Sequence, residues 1–239
     1  FEVMHPYYMK AALPYLNISP TDSCLELGSS KGHFTKQLLK YFNKITCIEA
    51  SKEAISQAKV LLNDPDKKFD KHWRKKSIRY YNTLFENASL NSNVHSTIFL
   101  THVLEHIEQP IHLLKQINNW LSETGTFILI CPNANAPSRQ IAVKMGLIPN
   151  VTAVTESEMK HGHYRTYTLD TMEADARKAG LEVVARTGIF FKGLANFQWD
   201  IALEHNIVSK EYLDGCFALG QQYPDLCSSI MLICKKGNQ

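Results

Sequence analysis

The stretch from Ser23 to Ser51 constrains the fold most, because its pattern predicts a strand, a glycine turn, a helix and a second strand. Gly28 and Gly32 bracket the turn, where the absence of a Cβ lets the backbone turn sharply or approach a ligand. The second strand ends on an acid, Glu49. An acid about 20 residues beyond a glycine turn suits a ribose, since its two oxygens can accept both hydroxyl protons. The stretch therefore predicts a nucleotide-binding edge, and the alternative is an ordinary strand-turn-helix unit without a ligand.

Apolar runs alternate with helical patterns along the rest of the chain, which predicts an α/β fold whose parallel sheet is covered by helices on both faces. Ligands in such sheets bind at the carboxyl ends of the strands. The predicted rim includes Asn82 after the third strand, with Thr101 and His102 after the fourth. Residues 122–125 predict a turn before the fifth strand. Tyr8, in the apolar leading segment, either lines the ligand mouth or packs in the core.

Two segments break this alternation and predict the walls of an acceptor pocket. Segment 134–168 is long and irregular, and a long insert at a ligand-binding rim is usually functional. Segment 195–226 predicts a second wall. We therefore expect a single domain over 1–239, with a helical lead-in at 1–20, a cofactor-binding core at 21–133, and the two inserts forming an acceptor cap.

The composition narrows the classes of protein and partner. The 239 residues are 44% hydrophobic and 21% charged, as in a globular chain with a buried core. A net charge of +3 is too balanced to predict nucleic-acid binding, and no apolar run approaches the roughly 20 residues of a membrane span. The six cysteines form no C-x-x-C pair, so we expect reduced core thiols in a cytoplasmic protein, without a disulfide framework or zinc ribbon. None of these features predicts the oligomeric state.

Several motifs resemble those of the class I S-adenosylmethionine-dependent methyltransferases. The run E-x-G-x-S-x-G at 26–32 resembles their motif I, (D/E)-x-G-x-G-x-G, with Ser30 replacing the middle glycine. The G-x-x-x-G spacing differs from the G-x-G-x-x-G of nicotinamide-binding enzymes, which counts against an oxidoreductase. Thr101–Pro110 (THVLEHIEQP) resembles the LEH-x-x-x-P segment of bacterial small-molecule methyltransferases, including ubiquinone-type O-methyltransferases. Cys131–Asn135 resembles their VPN segment.

This resemblance implies a Rossmann-like, doubly wound, seven-stranded methyltransferase sheet, with S-adenosylmethionine as cofactor and S-adenosylhomocysteine as product. It implies an enzyme acting on a small-molecule acceptor, and we expect O-methylation of a sugar, sugar-nucleotide or natural-product hydroxyl. Neither nucleic acid nor a membrane is an expected partner. A non-catalytic binding module with the same fold is the alternative from a different class. The residues implied to bind the cofactor are Glu26, Gly28, Ser30, Gly32, Glu49, Ala50, Asn82, Thr101, His102 and Tyr8.

Three histidines are the candidate catalytic groups. A sulfonium methyl group is already activated, so the enzyme mainly aligns the acceptor and, for a hydroxyl, removes its proton. A histidine with a pKa near neutrality suits that task. His106 and His163 are the candidate bases, with His102 beside them at the end of the fourth strand. The alternative is that Glu105 and His106 only make local hydrogen bonds at a helix start.

A second pattern, H-x-x-E-H followed by PN and G-H-x-x-x-Y-T, resembles the metal-binding layout of the Hen1-type small-RNA 2′-O-methyltransferases. The resemblance maps ligands onto Glu105, His106 and His163, while His102 stands where that family has a glutamate. Such a set can hold a divalent metal that lowers the pKa of a bound hydroxyl. We expect no metal, and metal-dependent methylation, including that of RNA, is the alternative. The balanced charge argues against RNA.

Overall fold

The computed structural model of the chain describes residues 2–19, 22–63 and 76–237. Seven strands form one sheet in the order β3-β2-β1-β4-β5-β7-β6, which confirms the predicted seven-stranded α/β sheet. β7 runs antiparallel to β5 and β6, and the other neighbouring pairs are parallel. The strands are β1 (Ser23–Leu27), β2 (Lys44–Ile48), β3 (Ser77–Tyr81), β4 (His95–Thr101), β5 (Leu121–Pro132), β6 (Glu182–Ile189) and β7 (Ser229–Lys235).

The antiparallel β7 departs from the predicted parallel sheet. Ile189 at the end of β6 pairs with Ser229 at the start of β7, so the connection between them leaves and re-enters the sheet at the same edge. When a connection does not return to the opposite edge of the sheet, the strand that follows it runs antiparallel to the strand before it. An alternating pattern of helices and strands does not reveal this reversal.

Helices cover both faces of the sheet, as predicted. Side chains of each strand alternate between two apolar clusters. In β1, Cys24 joins the cluster on the face of α1 and α2, whereas Leu25 joins the cluster on the face of α4 and α7. Burial on both faces explains why β1, β4 and β5 are nearly continuous apolar runs. The helices are α1 (His5–Ala12), α2 (His33–Leu38), α3 (Lys52–Leu62), α4 (Pro110–Trp120), α5 (Pro137–Lys144), α6 (Glu156–Lys160), α7 (Leu169–Lys178), α8 (Asn196–Glu204) and α9 (Lys210–Gln222).

Residues 122–125, predicted as a turn, belong to β5 in the structure. They interrupt its ladder with β4, whose register shifts between His95 and Thr97. A bulge or irregularity at this place in the strand explains how residues with a turn-like composition fit within β5. Gly125 suits this bulge, because a Cβ there would lie 2.7 Å from Leu121 Cδ1 and 2.9 Å from the His95 carbonyl oxygen.

The leading segment and the two inserts each contain helices, joined by turns and irregular segments. α1 is followed by a 3-10 turn, Leu13–Tyr15, and its Tyr7 and Tyr8 are buried. The insert 134–168 contains α5 and α6, and the insert 195–226 contains α8 and α9. The division into a core and an acceptor cap stays a prediction. Within the described ranges, no helix has the length and apolarity that crossing a bilayer requires.

Candidate active site

The glycine turn between β1 and α2 has a backbone that favours glycine. Gly28, Ser30 and Gly32 have φ values of 75°, 45° and 84°, in the left-handed region. A Cβ on Gly28 would lie 2.5 Å from Val103 Cγ2, and one on Gly32 would lie 2.9 Å from Ala58 Cβ. Both conformation and close packing therefore require glycine at these two positions. Ser30 tolerates the left-handed conformation, so its departure from the motif leaves the turn intact.

Glu49 ties the turn to the neighbouring strand ends. Its Oε2 accepts a hydrogen bond from the Ser30 amide at 2.8 Å, and its Oε1 accepts one from the Ser51 amide at 2.9 Å. Asn82 Nδ2 donates to the carbonyl oxygens of Glu49 at 3.0 Å and Ala50 at 2.7 Å. The structure thus brings these predicted cofactor residues together on one rim. The fixed carboxylate keeps lone pairs that can accept hydroxyl protons of a ribose.

Glu26 lies beneath the turn. Its side chain is 3% exposed, and its Oε2 accepts hydrogen bonds from Thr35 Oγ1 at 2.7 Å and Cys47 Sγ at 3.6 Å. Burial raises the pKa of Glu26 to about 7. The carboxyl group therefore joins β1 to α2 and β2 from inside the core. Direct contact of Glu26 with a cofactor stays a prediction.

His102 lies at the rim in a left-handed backbone conformation, with φ 53°. Its Nε2 is 2.9 Å from the Tyr8 hydroxyl and 3.2 Å from Ser229 Oγ, and its Nδ1 is 3.7 Å from Glu105 Oε1. Burial and neighbouring histidines lower the pKa of His102, although 32% of its side-chain surface remains exposed. Tyr8 is both a core residue and a rim residue, since its ring is buried and its hydroxyl reaches His102. Thr101 Oγ1 is buried there without a hydrogen-bond partner among the described residues.

A cluster of Glu105, His106 and His163, hereafter the Glu-His-His cluster, lies beside His102. Glu105 and His106 belong to a 3-10 turn after β4, and His163 follows α6. The two imidazole rings are 4.4 Å apart and nearly perpendicular. One ligand atom from each residue lies within 4.8 Å of the others. The Tyr164 amide donates to the Glu105 carbonyl at 2.9 Å, which holds the two segments together.

Burial sets the charge state of this cluster. Glu105 is 2% exposed, its Oε2 has no hydrogen-bond partner in the part of the chain described, and burial raises its pKa to about 8. Burial also lowers the pKa of His106 and His163. At neutral pH the cluster therefore presents neutral imidazoles, each with a lone pair that can accept a proton or coordinate a metal.

The predicted metal set of four residues is not brought together as a whole. Glu105, His106 and His163 converge, whereas His102 directs its Nε2 to Tyr8 and Ser229 and has only its Nδ1 near the cluster, 3.7 Å from Glu105 Oε1. The ring of His102 therefore belongs to the contact between α1 and the rim, and its predicted roles in catalysis and cofactor binding stay predictions. Ser229 was missed because a serine at the start of a strand carries no sequence signal.

Arg139 was also missed, and it organises the insert that carries His163. Its guanidinium donates to the carbonyl oxygens of Val151 and Ala153 and pairs with Glu158 at 2.5 Å. Glu158 and Thr155 form a capping box, which the spacing of threonine and glutamate at the start of α6 could have indicated. A small pocket between this arginine and the cluster is lined by Glu105, Pro132, Asn133, Arg139, Glu158, His163, Arg165 and Thr166.

Comparisons with known proteins agree with this geometry. A family model described as "Methyltransferase domain" matches residues 4–186, which include the glycine turn, the rim and the whole Glu-His-His cluster. Among curated proteins, none matches the chain.

Solved structures share the fold at low sequence identity. A complex of the Haloferax volcanii Trm112 methyltransferase activator and a putative methyltransferase aligns with a TM-score of 0.65 and 14% identity, covering 100% of this chain and 92% of the other. An S-adenosylmethionine-dependent methyltransferase from Mesorhizobium loti aligns with a TM-score of 0.61 and 12% identity, covering 96% of this chain and 97% of the other. The [4+2]-cyclase SpnF aligns with a TM-score of 0.64 and 12% identity, covering 100% of this chain and 82% of the other. The cyclase illustrates that this fold alone does not fix the reaction.

Proposed function

Since this chain belongs to the methyltransferase-domain family and is a class I S-adenosylmethionine-dependent methyltransferase, we propose that it methylates a hydroxyl group of a small molecule. The acceptor class is a sugar, a sugar-nucleotide or a natural product. The observation that carries the proposal is the Glu-His-His cluster, whose neutral imidazoles lie beside the rim. A hydroxyl must lose its proton as it attacks the methyl group, and these rings can accept it.

The residues of the rim have different proposed roles in cofactor binding. When bound, the cofactor supplies a methyl group activated on a sulfonium. The glycine turn gives the cofactor close backbone approach, Glu49 accepts the ribose hydroxyl protons, and Asn82 holds the backbone of Glu49 and Ala50 beside them. The His102 ring contacts the Tyr8 hydroxyl through Nε2, and its Nδ1 lies 3.7 Å from Glu105 Oε1 of the cluster.

His106 and His163 are the two candidate bases. The His106 ring donates to the backbone carbonyl groups of His161 and Gly162, and it lies nearly perpendicular to the His163 ring. His163 lines the small pocket beside the cluster, where an acceptor hydroxyl would have to bind for proton transfer. Either histidine would then receive the proton at a ring nitrogen.

Turnover can be measured with S-adenosylmethionine carrying a tritiated methyl group and a panel of sugars, sugar-nucleotides and polyhydroxylated natural products. We expect His106→Ala or His163→Ala to lower kcat by roughly 100-fold or more, while S-adenosylhomocysteine affinity stays near wild type. His112→Ala, on an exposed position of α4, is the matched control and should retain full turnover.

Near-full turnover in both test variants would refute the role of a histidine base and favour an acceptor that needs no deprotonation. Cofactor binding without transfer to any acceptor would favour a non-catalytic module.

A second candidate is metal-assisted methylation, favoured by the convergence of three ligand atoms within 4.8 Å. The donor set fits a divalent ion, because Glu105 Oε2 is buried without a hydrogen-bond partner among the residues described. Glu105, His106 and His163 would hold the ion, which would lower the pKa of an acceptor hydroxyl. Activity that survives exhaustive chelation dismisses this candidate, whereas loss that Zn²⁺, Co²⁺ or Mn²⁺ restores supports it. The balanced net charge of +3 disfavours RNA as the acceptor in either case.

A further inference from the structure

Arg165 is a charged side chain that the proposed chemistry does not use. It is partly buried and lines the small pocket beside the Glu-His-His cluster. Its Nη2 donates a hydrogen bond to the Glu108 carbonyl oxygen at 2.8 Å, whereas its Nε is buried without a hydrogen-bond partner among the described residues. An unpaired donor of a charged group is costly, so this guanidinium suits an acceptor atom that a ligand supplies.

The other charged groups of this pocket have partners of their own. Arg139 pairs with Glu158 at 2.5 Å, so these two charges offset each other. Glu105 Oε1 lies 3.7 Å from His102 Nδ1. In the part of the chain that the structure describes, no carboxylate forms an ion pair with Arg165. Of the two guanidinium groups in the pocket, that of Arg165 is therefore the one available to an anionic ligand.

Arg165 and His163 line the same pocket because of the segment that carries them. Residues 163–166 belong to no helix or turn, and Tyr164 between the two is 59% exposed. Alternate side chains of an extended segment lie on the same side. The Tyr164 amide donates to the Glu105 carbonyl at 2.9 Å, and together with the contact of Arg165 with Glu108 it holds this segment against the turn after β4.

The size of the pocket limits what it can receive. It encloses about 230 Å³ of empty space, including space open to solvent, whereas sites that enclose a whole small molecule start at roughly 300 Å³. Only one part of an acceptor therefore fits inside. Since His163 and Arg165 both line this space, a hydroxyl at the first and an anionic group at the second must lie close together in the acceptor.

We propose that the acceptor carries a carboxylate or a phosphate next to the hydroxyl that is methylated, and that Arg165 binds this anionic group. The inference rests on the proposed function, because it assumes that the hydroxyl binds beside His163. A guanidinium can give either anion two parallel hydrogen bonds, which fix the orientation of the acceptor as well as adding affinity. Arg165 thus determines acceptor specificity and is distinct from the group that receives the proton.

The test uses two pairs of probes, lactate with lactamide and glycerol 3-phosphate with glycerol, titrated into protein saturated with S-adenosylhomocysteine. Each pair keeps a hydroxyl and removes the charge. We expect wild type to bind at least one anion about tenfold or more tightly than its neutral counterpart. The preferred anion identifies the acceptor group as a carboxylate or a phosphate.

Variants assign this preference to one side chain. Arg165→Met should abolish the preference, and Arg165→Lys should keep part of it because the charge remains without the planar fork. Arg79→Met is the matched control, because it removes an exposed arginine on the edge strand β3. This control should leave the preference unchanged.

No binding of either anion by wild type, no preference over the neutral probes, or an undiminished preference in Arg165→Met would overturn the proposal. An equal loss of affinity for charged and neutral probes in Arg165→Met would also overturn it, because only a structural role of the contact with Glu108 would remain. Affinity for S-adenosylhomocysteine, measured in the same samples, shows that each variant is folded. If wild type fails to bind that product, the proposed function fails. If it binds the product but shows no anion preference, only the role of Arg165 fails.

Discussion

The rim has a predicted cofactor half, formed by the glycine turn and Glu49, and a predicted acceptor half, formed by the insert 134–168 that carries His163. The two halves are held in different ways. In the cofactor half, buried strands position the glycine turn, and the Ser30 and Ser51 amides donate hydrogen bonds to the Glu49 carboxylate. In the acceptor half, neither α5 nor α6 buries a side chain. Arg139 instead holds that insert through polar contacts with Glu158 and two carbonyl groups. The predicted methyl-donor site is thus held by the core, whereas the segment that carries His163 is attached by polar contacts that open more easily.

The largest effect is expected from Gly28→Ala, in the rigid half. The new Cβ would lie 2.5 Å from Val103 Cγ2, and alanine at φ 75° is strained. Because valine is stiff at χ1, relief requires backbone movement, and we expect a loss of about 3 kcal/mol in stability with at least a tenfold loss of S-adenosylhomocysteine affinity.

Gly146→Ala is the matched control for this substitution. Gly146 has a similar φ of 73°, but a Cβ there would meet no atom within 4 Å. It should cost only about 1 kcal/mol and leave affinity unchanged, as measured by denaturant unfolding and calorimetry. Equal effects of the two substitutions would contradict the close packing of the turn against Val103.

Stability should depend on pH through Glu26, beneath the turn. An unfolded glutamate ionises near pH 4.5, whereas the folded pKa of Glu26 is raised to about 7. The folded state therefore holds the proton longer, and stability falls as pH rises between these values. Glu26→Gln cannot ionise, so it should remove this pH-dependent loss, which amounts to roughly 3 kcal/mol. The unfolding free energy of the variant, measured relative to wild type, should therefore be more favourable at pH 8 than at pH 5. An identical difference at both pH values would show that Glu26 is ionised in the core.

The acceptor half should open without disturbing the cofactor half. Arg139→Met removes the contacts of the guanidinium with Val151, Ala153 and Glu158. We expect proteolysis within residues 145–160 to quicken by about tenfold, while S-adenosylhomocysteine affinity changes by less than about threefold. Arg177→Met, which removes a surface pair with Glu173, should change neither quantity. A parallel loss of cofactor affinity in Arg139→Met would mean that the two halves are coupled.

The smallest effect is expected at Ser30, where the chain departs from the motif. Ser30 has φ 45°, and glycine would relieve that strain without removing the amide that donates to Glu49. Ser30→Gly should therefore change stability by less than about 1 kcal/mol and leave product affinity within about threefold of wild type. A large loss of affinity, measured by the same calorimetry, would assign the serine hydroxyl a direct part in cofactor binding.

The two halves also differ in how much the sequence could predict. Gly28, Gly32 and Glu49 lie at the ends of short apolar runs, so local pattern and strand order were enough to place them on one rim. His106 and His163 are more than 50 residues apart in the chain, and they meet because the insert between them folds back. Residue spacing could not predict this contact, whereas the family resemblance indicated it.

Other features depend on contacts that no local pattern encodes. The orientation of His102 toward Tyr8 and Ser229 joins three segments far apart in the chain. The burial of Lys192 depends on how α8 and the end of β6 pack. The reversal of β7 depends on the path of a connection and not on its composition.

The separation of methyl-donor binding from proton removal is tested most directly by the double variant His106→Ala/His163→Ala. S-adenosylhomocysteine affinity and the rate of labelled-methyl transfer are measured on the same preparation. We expect affinity to stay within about threefold of wild type while transfer falls by roughly 100-fold or more. Methyl transfer at the wild-type rate would contradict this separation, and so would a loss of S-adenosylhomocysteine affinity that accompanies the loss of transfer.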